Sequence, residues 1–353
     1  MALNIVLLIV GMVLLVKGAD WFVSGSSAIA KALKIPSLII GLTLVSMGTS
    51  LPEASVSINS AINGMNDMSI GNVVGSNIFN TLFILGVSSL IVPLAIGKDI
   101  KHFDVPIMVG LYVVLMLFAF VITPLKLDII ESVVMLVLFV AYTAFLIVRA
   151  KKANKQLCKT DDNAVKQISE TKADSDVKQT TEMKDDNAVK QAVKQTVKTK
   201  KEKKRPLWLS IILSIVGLAG IIFGGDFVVD NASAIAKTAG MSESLVGLTI
   251  VAVGTSLPEL VTSVVASIKK ENDIAIGNVI GSNIFNIVFI LGLSSTISTL
   301  TLNQAQLVDM SVMLGSGIMV LLIALFSKKM QRWHGVITAA TYIGYLVYII
   351  LRN

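Results

Sequence analysis

The chain has little charge and almost no cysteine or histidine. Charged residues make up 15% of its 353 residues, against 54% that are apolar. Soluble domains carry roughly 25% charged residues, so a water-soluble globular protein is excluded. A single cysteine, Cys158, rules out any intramolecular disulfide and reads as a free thiol in a reducing compartment. The two histidines, His102 and His334, fall in loops or at the ends of apolar runs and receive no role. No phosphate-binding glycine loop occurs, and no nucleophile, base and orienting group assemble at one depth, so the chain does not read as an enzyme. Residues 151–205 hold 16 Lys and Arg against 9 Asp and Glu, whereas the rest balances at 14 against 14. The net charge of +7 therefore belongs to one segment beside a membrane and not to a nucleic-acid-binding face.

Apolar runs of bilayer length, about 20 residues each, are what the chain has in abundance. Ten are read, at 3–30, 37–62, 69–93, 104–122, 127–149, 207–236, 243–268, 274–297, 306–326 and 333–351. The first has no Lys or Arg before its apolar stretch and runs on into a second apolar part, so it reads as a span and not as a cleaved signal peptide. Basic loop residues orient the spans. With the N-terminus outside, Lys31, Lys34, Lys98, Lys101, Arg149, Lys269, Lys270, Lys328, Lys329 and Arg332 lie inside, and only Lys126, Lys237 and Arg352 lie outside. The expectation is an all-α polytopic protein of the plasma (inner) membrane, with both termini outside and the charged segment in the cytoplasm. The lipid bilayer is its expected partner, with no nucleic acid and no obligate protein partner.

The charged segment divides the chain into a first five-helix repeat (1–150), a linker (151–205) and a second five-helix repeat (206–353). The linker is rich in Lys, Asp, Thr and Gln and repeats DDNAVKQ at 161–167 and 185–191. So polar a segment buries too little apolar area to offset its ordering entropy and is expected to be disordered, with transient helix. Its acidic pairs, Asp161 with Asp162 and Asp185 with Asp186, lack the alternating spacing and glycine of a calcium loop.

An internal duplication organises everything outside the linker. Residues 41–86 align without gaps to 247–292, with 28 of 46 positions identical at a constant offset of 206. The same offset pairs Gly11 with Gly217 and Asp20 with Asp226, so the duplicated unit is a whole five-span half. An odd number of spans per half makes the repeats antiparallel, the inverted arrangement of secondary transporters whose ion sites sit near the midplane.

Glu53 and Glu259 follow Pro52 and Pro258 in the middle of apolar runs. A carboxylate at that depth costs about 2.5 kcal/mol or more and marks function; the bland alternative is a protonated glutamate hydrogen-bonded across helices. The prolines kink the helix and free carbonyls near Gly48 and Gly254. Thr49 and Ser50 precede Glu53 by four and three residues, as Thr255 and Ser256 precede Glu259, which places them on one helical face. Hydroxyls, carbonyls and carboxylates form a hard oxygen set suited to Na+ and Ca2+; back-bonding to the preceding turn is the plain alternative for the hydroxyls. In GNVVGSNIFN and GNVIGSNIFN, Ser76 with Asn80 and Ser282 with Asn286 stand four apart and offer further neutral oxygens. Asn72, Asn77, Asn278 and Asn283 read as interhelical hydrogen-bonding residues, and Gly71, Gly75, Gly277 and Gly281 as packing positions. Asp20 and Asp226 line an ion path or serve a capping or interfacial role; Lys17 precedes only the first of them.

Paired GTSLPE and GNxxGSNIFN motifs in antiparallel halves resemble the alpha-repeats of the cation/calcium exchanger superfamily, and within it the prokaryotic sodium/calcium exchangers. The resemblance covers all ten runs and leaves out the linker. It implies a core of the second, third, seventh and eighth spans, with the first and sixth as long tilted helices that slide across it. It also implies Glu53 and Glu259 as shared Na+ and Ca2+ ligands, with Thr49, Ser50, Thr255, Ser256, Ser76 and Ser282 completing sodium sites and the carbonyls of Ser46 and Ala252 joining them. In some relatives an Asp stands where this chain has Asn80 or Asn286, and relatives that require K+ resemble that pattern. The function so implied is an electrogenic Na+/Ca2+ antiporter with no cofactor, its transported ions being Ca2+ and Na+. A H+/Ca2+ antiporter and a cation channel are the competing readings; the paired hydroxyls favour Na+, because a proton needs no coordination shell.

Overall fold

The computed structural model describes residues 2–122, 125–177, 206–241 and 252–352. The helices in chain order are α1 (Ala2–Leu33), α2 (Ser37–Thr49), α3 (Leu51–Ile62), α4 (Asn66–Ile91), α5 (Ile100–Ile122), α6 (Ile129–Val177), α7 (Leu207–Thr238), α8 (Ala252–Gly254), α9 (Leu257–Ile268), α10 (Asn272–Ile297), α11 (Gln304–Phe326) and α12 (Arg332–Arg352). Among the described residues, eight helices are long and apolar enough to cross a membrane, and nine if α2 and α3, bent by 49°, form one broken span. The chain is thus an all-α polytopic membrane protein. The expected seventh span is described from Ala252 onward; its first residues lie outside the described ones.

Burial sorts the helices into two layers. α10 and α4 are the most enclosed, whereas α1, α6, α7 and α12 turn most of their residues outward. Their exposed side chains, such as Val6, Val13, Val137, Val148, Ile215 and Phe223, are apolar, as a lipid-facing surface requires. α1 and α7 pack along one another. A Cβ on Gly18 would lie 2.7 Å from the Gly217 carbonyl, and one on Gly217 would lie 2.5 Å from the Phe22 backbone nitrogen. Only glycine permits two backbones to approach so closely.

Two short antiparallel strand pairs tie the halves together: β1 (Leu94–Ala95) with β4 (Lys329–Met330), and β2 (Lys126–Leu127) with β3 (Leu300–Thr301). Two bidentate ion pairs fasten the peripheral helices. Arg149 on α6 meets Asp104 on α5 at 2.6 and 3.1 Å, and Arg352 on α12 meets Asp309 on α11 at 2.9 and 3.1 Å. Arg149 also lies over Phe103 and Phe145, and Arg352 over Tyr348.

α6 runs on without a break to Val177, into the charged segment where the sequence reading allows transient helix. Residues 150–177 contain no Gly or Pro and are rich in Lys and Ala, which propagate a helix that the span has already nucleated. Residues 178–205, the remainder of that expectation, lie outside the described residues.

Candidate functional site

Both glutamates occupy the first turn of a helix that restarts after a break. α2 ends at Thr49, Ser50 takes φ −85° and ψ 10°, and α3 begins at Leu51; Ser256 repeats this at φ −91° and ψ 5° before α9. Pro52 and Pro258 sit in the first turn of the new helix, where a missing N–H needs no partner. The break aims the positive end of each new helix at its own glutamate, a position that favours negative charge.

Glu53 and Glu259 are fully buried, and each is held by a hydroxyl from the other half. Ser50 donates to Glu259 Oε1 at 2.7 Å, and Ser256 donates to Glu53 Oε1 at 2.8 Å. Ser256 also lies 3.0 Å from the Ser76 hydroxyl, and Ser282 reaches Glu259 Oε1 at 3.4 Å and the Ser46 carbonyl at 3.3 Å. The second oxygen of each glutamate, Oε2, is buried with no hydrogen-bond partner among the described residues. Two such oxygens at one place represent unmet demand for positive charge.

The outer ring of the site is a network of amides. Thr49 donates to Asn278 Oδ1 at 3.0 Å and Thr255 to Asn72 Oδ1 at 3.3 Å. Asn72 donates to the Glu53 carbonyl and to Ser57, and Asn278 donates to the Glu259 carbonyl and to Ser263. These asparagines bond between helices, as expected from sequence. Asn286 donates to Asn77 Oδ1 at 3.0 Å and leaves its own Oδ1 unpartnered, whereas Asn80 is buried with both polar atoms unpartnered. Both lie in π-helical turns, Phe79–Ile84 and Asn286–Leu291. A π turn carries an extra residue and redirects its side chains, often at functional sites; no sequence pattern pointed to it.

Of the residues singled out by sequence, Glu53, Ser256 and Ser76 thus form one cluster and Glu259, Ser50, Thr49, Ser282 and the Ser46 carbonyl a second, with Thr255 bonded to Asn72 beside the Glu53 backbone. Ala252 opens the short helix α8, four residues before Ser256. Asp20 pairs with Lys269, at 2.7 Å, and stands apart from the glutamates.

Known proteins share this architecture. Residues 3–148 and 209–351 match the family model described as sodium/calcium exchanger protein. The chain is 37% identical to inner membrane protein YrbG of Escherichia coli, over 84% of this chain and 81% of that one. It is 33% identical to the putative antiporter CaxA of Alkalimonas amylolytica, over 96% of each. It is also 33% identical to sodium/calcium exchanger MaX1 of Methanosarcina acetivorans, over 98% of this chain and 97% of that one. Among solved structures, the sodium-calcium exchanger NCX_Mj soaked with Na+ and Ca2+ superposes with a TM-score of 0.76 at 28% identity, covering 98% of each chain. With both halves of the chain matched and the fold shared, this protein belongs to the sodium/calcium exchanger family.

Proposed function

We propose that the chain is an electrogenic Na+/Ca2+ antiporter that expels Ca2+ by alternating access to one midplane site. In this reading ten spans form two inverted five-helix repeats, 1–150 and 206–353, joined by the cytoplasmic segment 151–205. Both termini lie outside the plasma membrane. The ligands are Glu53 and Glu259, with Thr49, Ser50, Ser76, Asn80 and their counterparts Thr255, Ser256, Ser282 and Asn286, and with the carbonyls of Ser46 and Ala252.

The observation that carries the reading is the reciprocal wiring of the two glutamates, each leaving one buried oxygen without a partner. Two carboxylates neutralise one Ca2+ or two Na+, so the two loads compete for the same oxygens, and that competition couples their fluxes. Transport moves net charge when the neutral oxygens around the glutamates hold a further Na+. Each load must also favour one side's closure, because a ligand shifts a two-state equilibrium only by its differential affinity.

Ca2+ uptake into proteoliposomes under an imposed Na+ gradient, an imposed H+ gradient or neither tests the proposal. Uptake that follows the Na+ gradient and responds to membrane potential supports it. Uptake driven only by H+ would assign the glutamates to proton exchange, and uptake down the Ca2+ gradient alone would mean a channel.

A further inference from the structure

Four residues on one face of α1 reach the turn between α9 and α10. Asp20, Ser24, Ser27 and Lys31 recur at intervals of four, three and four, which aligns them along the helix. Lys269 Nζ lies 2.7 Å from Asp20 Oδ1, 2.7 Å from the Asp20 carbonyl and 2.5 Å from the Ser24 hydroxyl. Ser27 donates to Glu271 Oε1 at 2.6 Å, and Lys31 lies 3.6 Å from the same oxygen. Asn154 on α6 donates to the carbonyl of Leu33, the last residue of α1, at 3.0 Å. The whole second half of α1 is thereby clasped over α9.

The turn that corresponds to the α9–α10 turn, between α3 and α4, does not repeat its charges. The 206-residue offset carries Asp20 to Asp226, Ser27 to Ser233 and Lys31 to Lys237, but Lys269 and Glu271 correspond to Asn63 and Met65. Three of the four face residues are thus repeated, Ser24 is replaced by Asp230, and the charged receivers are not repeated. The geometry points to an inner latch: Asp20, Lys269, Glu271 and Lys31 are positioning residues that hold α1 against α9. They keep the cytoplasmic path to the site closed and bias the carrier toward facing outward. Opening that path requires α1 to leave the α9–α10 turn and forfeit these bonds.

The inference rests on the proposed antiport and orientation, and it has a measurable signature. A carrier binds from either side in proportion to the fraction facing that side. Lys269→Gln should therefore lower the half-saturating cytoplasmic Ca2+ concentration about two- to fivefold, the range of a partly exposed ion pair, and raise the external one. A merely structural defect would reduce the maximal rate without shifting the two sides in opposite directions. Asp20→Arg combined with Lys269→Glu should restore the parental balance, and Lys98→Gln should leave it unchanged.

A second measurement needs no transport. Thr262 is fully buried in α9, one turn inward from Glu259. In a Cys158→Ser background, a cysteine replacing Thr262 should react faster with a thiol reagent from the cytoplasmic side when Lys269→Gln is present. Equal shifts on both sides, or labelling indifferent to Lys269, would overturn the latch. A parent protein that does not exchange ions would instead sink the antiport reading, and the labelling would still decide the latch.

Discussion

At the scale of single residues, the account turns on two carboxylates. Glu53→Gln and Glu259→Gln should each keep the fold and abolish Na+-driven Ca2+ uptake, because each removes half of the site's formal charge; uptake near the parental rate would remove that carboxylate from the mechanism. The neutral amides of Asn80 and Asn286 make a separate prediction. An amide offers one carbonyl oxygen and brings two N–H donors that must point away from any cation, so the site has no added anionic ligand for K+. Uptake should proceed without K+ on either side and change little when K+ replaces an inert cation at constant potential; strict K+ dependence would contradict this. Much of the site was legible in the sequence because the same polar residues occur twice at one offset inside apolar runs. Which half supplies each hydroxyl was not legible, because that depends on how the two broken helices face each other. Asn80 likewise gave no sign that the π turn leaves both its polar atoms without partners.

At the scale of elements, hydrophobic run length located the described spans other than the seventh to within a few residues, but it marks where the chain leaves the bilayer and not where a helix ends. Hence α6 continues to Val177, well past the expected boundary. Arg149 was legible only as a basic residue at a span end; its bidentate partner Asp104 is fully buried, and no local spacing links two residues 45 positions apart. Breaking a buried pair strands the remaining charge at a cost of about 3–5 kcal/mol. Arg149→Gln should therefore lower the melting temperature markedly, whereas Lys98→Gln should not; an unchanged melting temperature would show that the clamp contributes nothing. The α1–α7 crossing makes a sharper demand. Gly217→Val places side-chain atoms against the Phe22 backbone and should destabilise by about 1–3 kcal/mol. A Cβ at Gly344 meets nothing within 4 Å among the described residues, so Gly344→Ala should be tolerated.

At the scale of the whole molecule, two halves that share one motif bring their carboxylates and hydroxyls together only across the interface between them, so neither half alone completes the site. The linker supplies none of the proposed ligands: deleting residues 155–200 while leaving a bridge to Leu207 should preserve basal exchange, and a correctly inserted but inactive deletion would show that the segment does more than connect. The central claim is that Na+ and Ca2+ compete for one site built from both halves. Equilibrium binding of radioactive Ca2+ to the purified protein, titrated with Na+, tests it most directly. Na+ should displace Ca2+ completely and with a Hill coefficient above one, and Glu53→Gln should abolish the displaceable binding. Ca2+ that stays bound at saturating Na+, or binding that survives Glu53→Gln, would contradict the account.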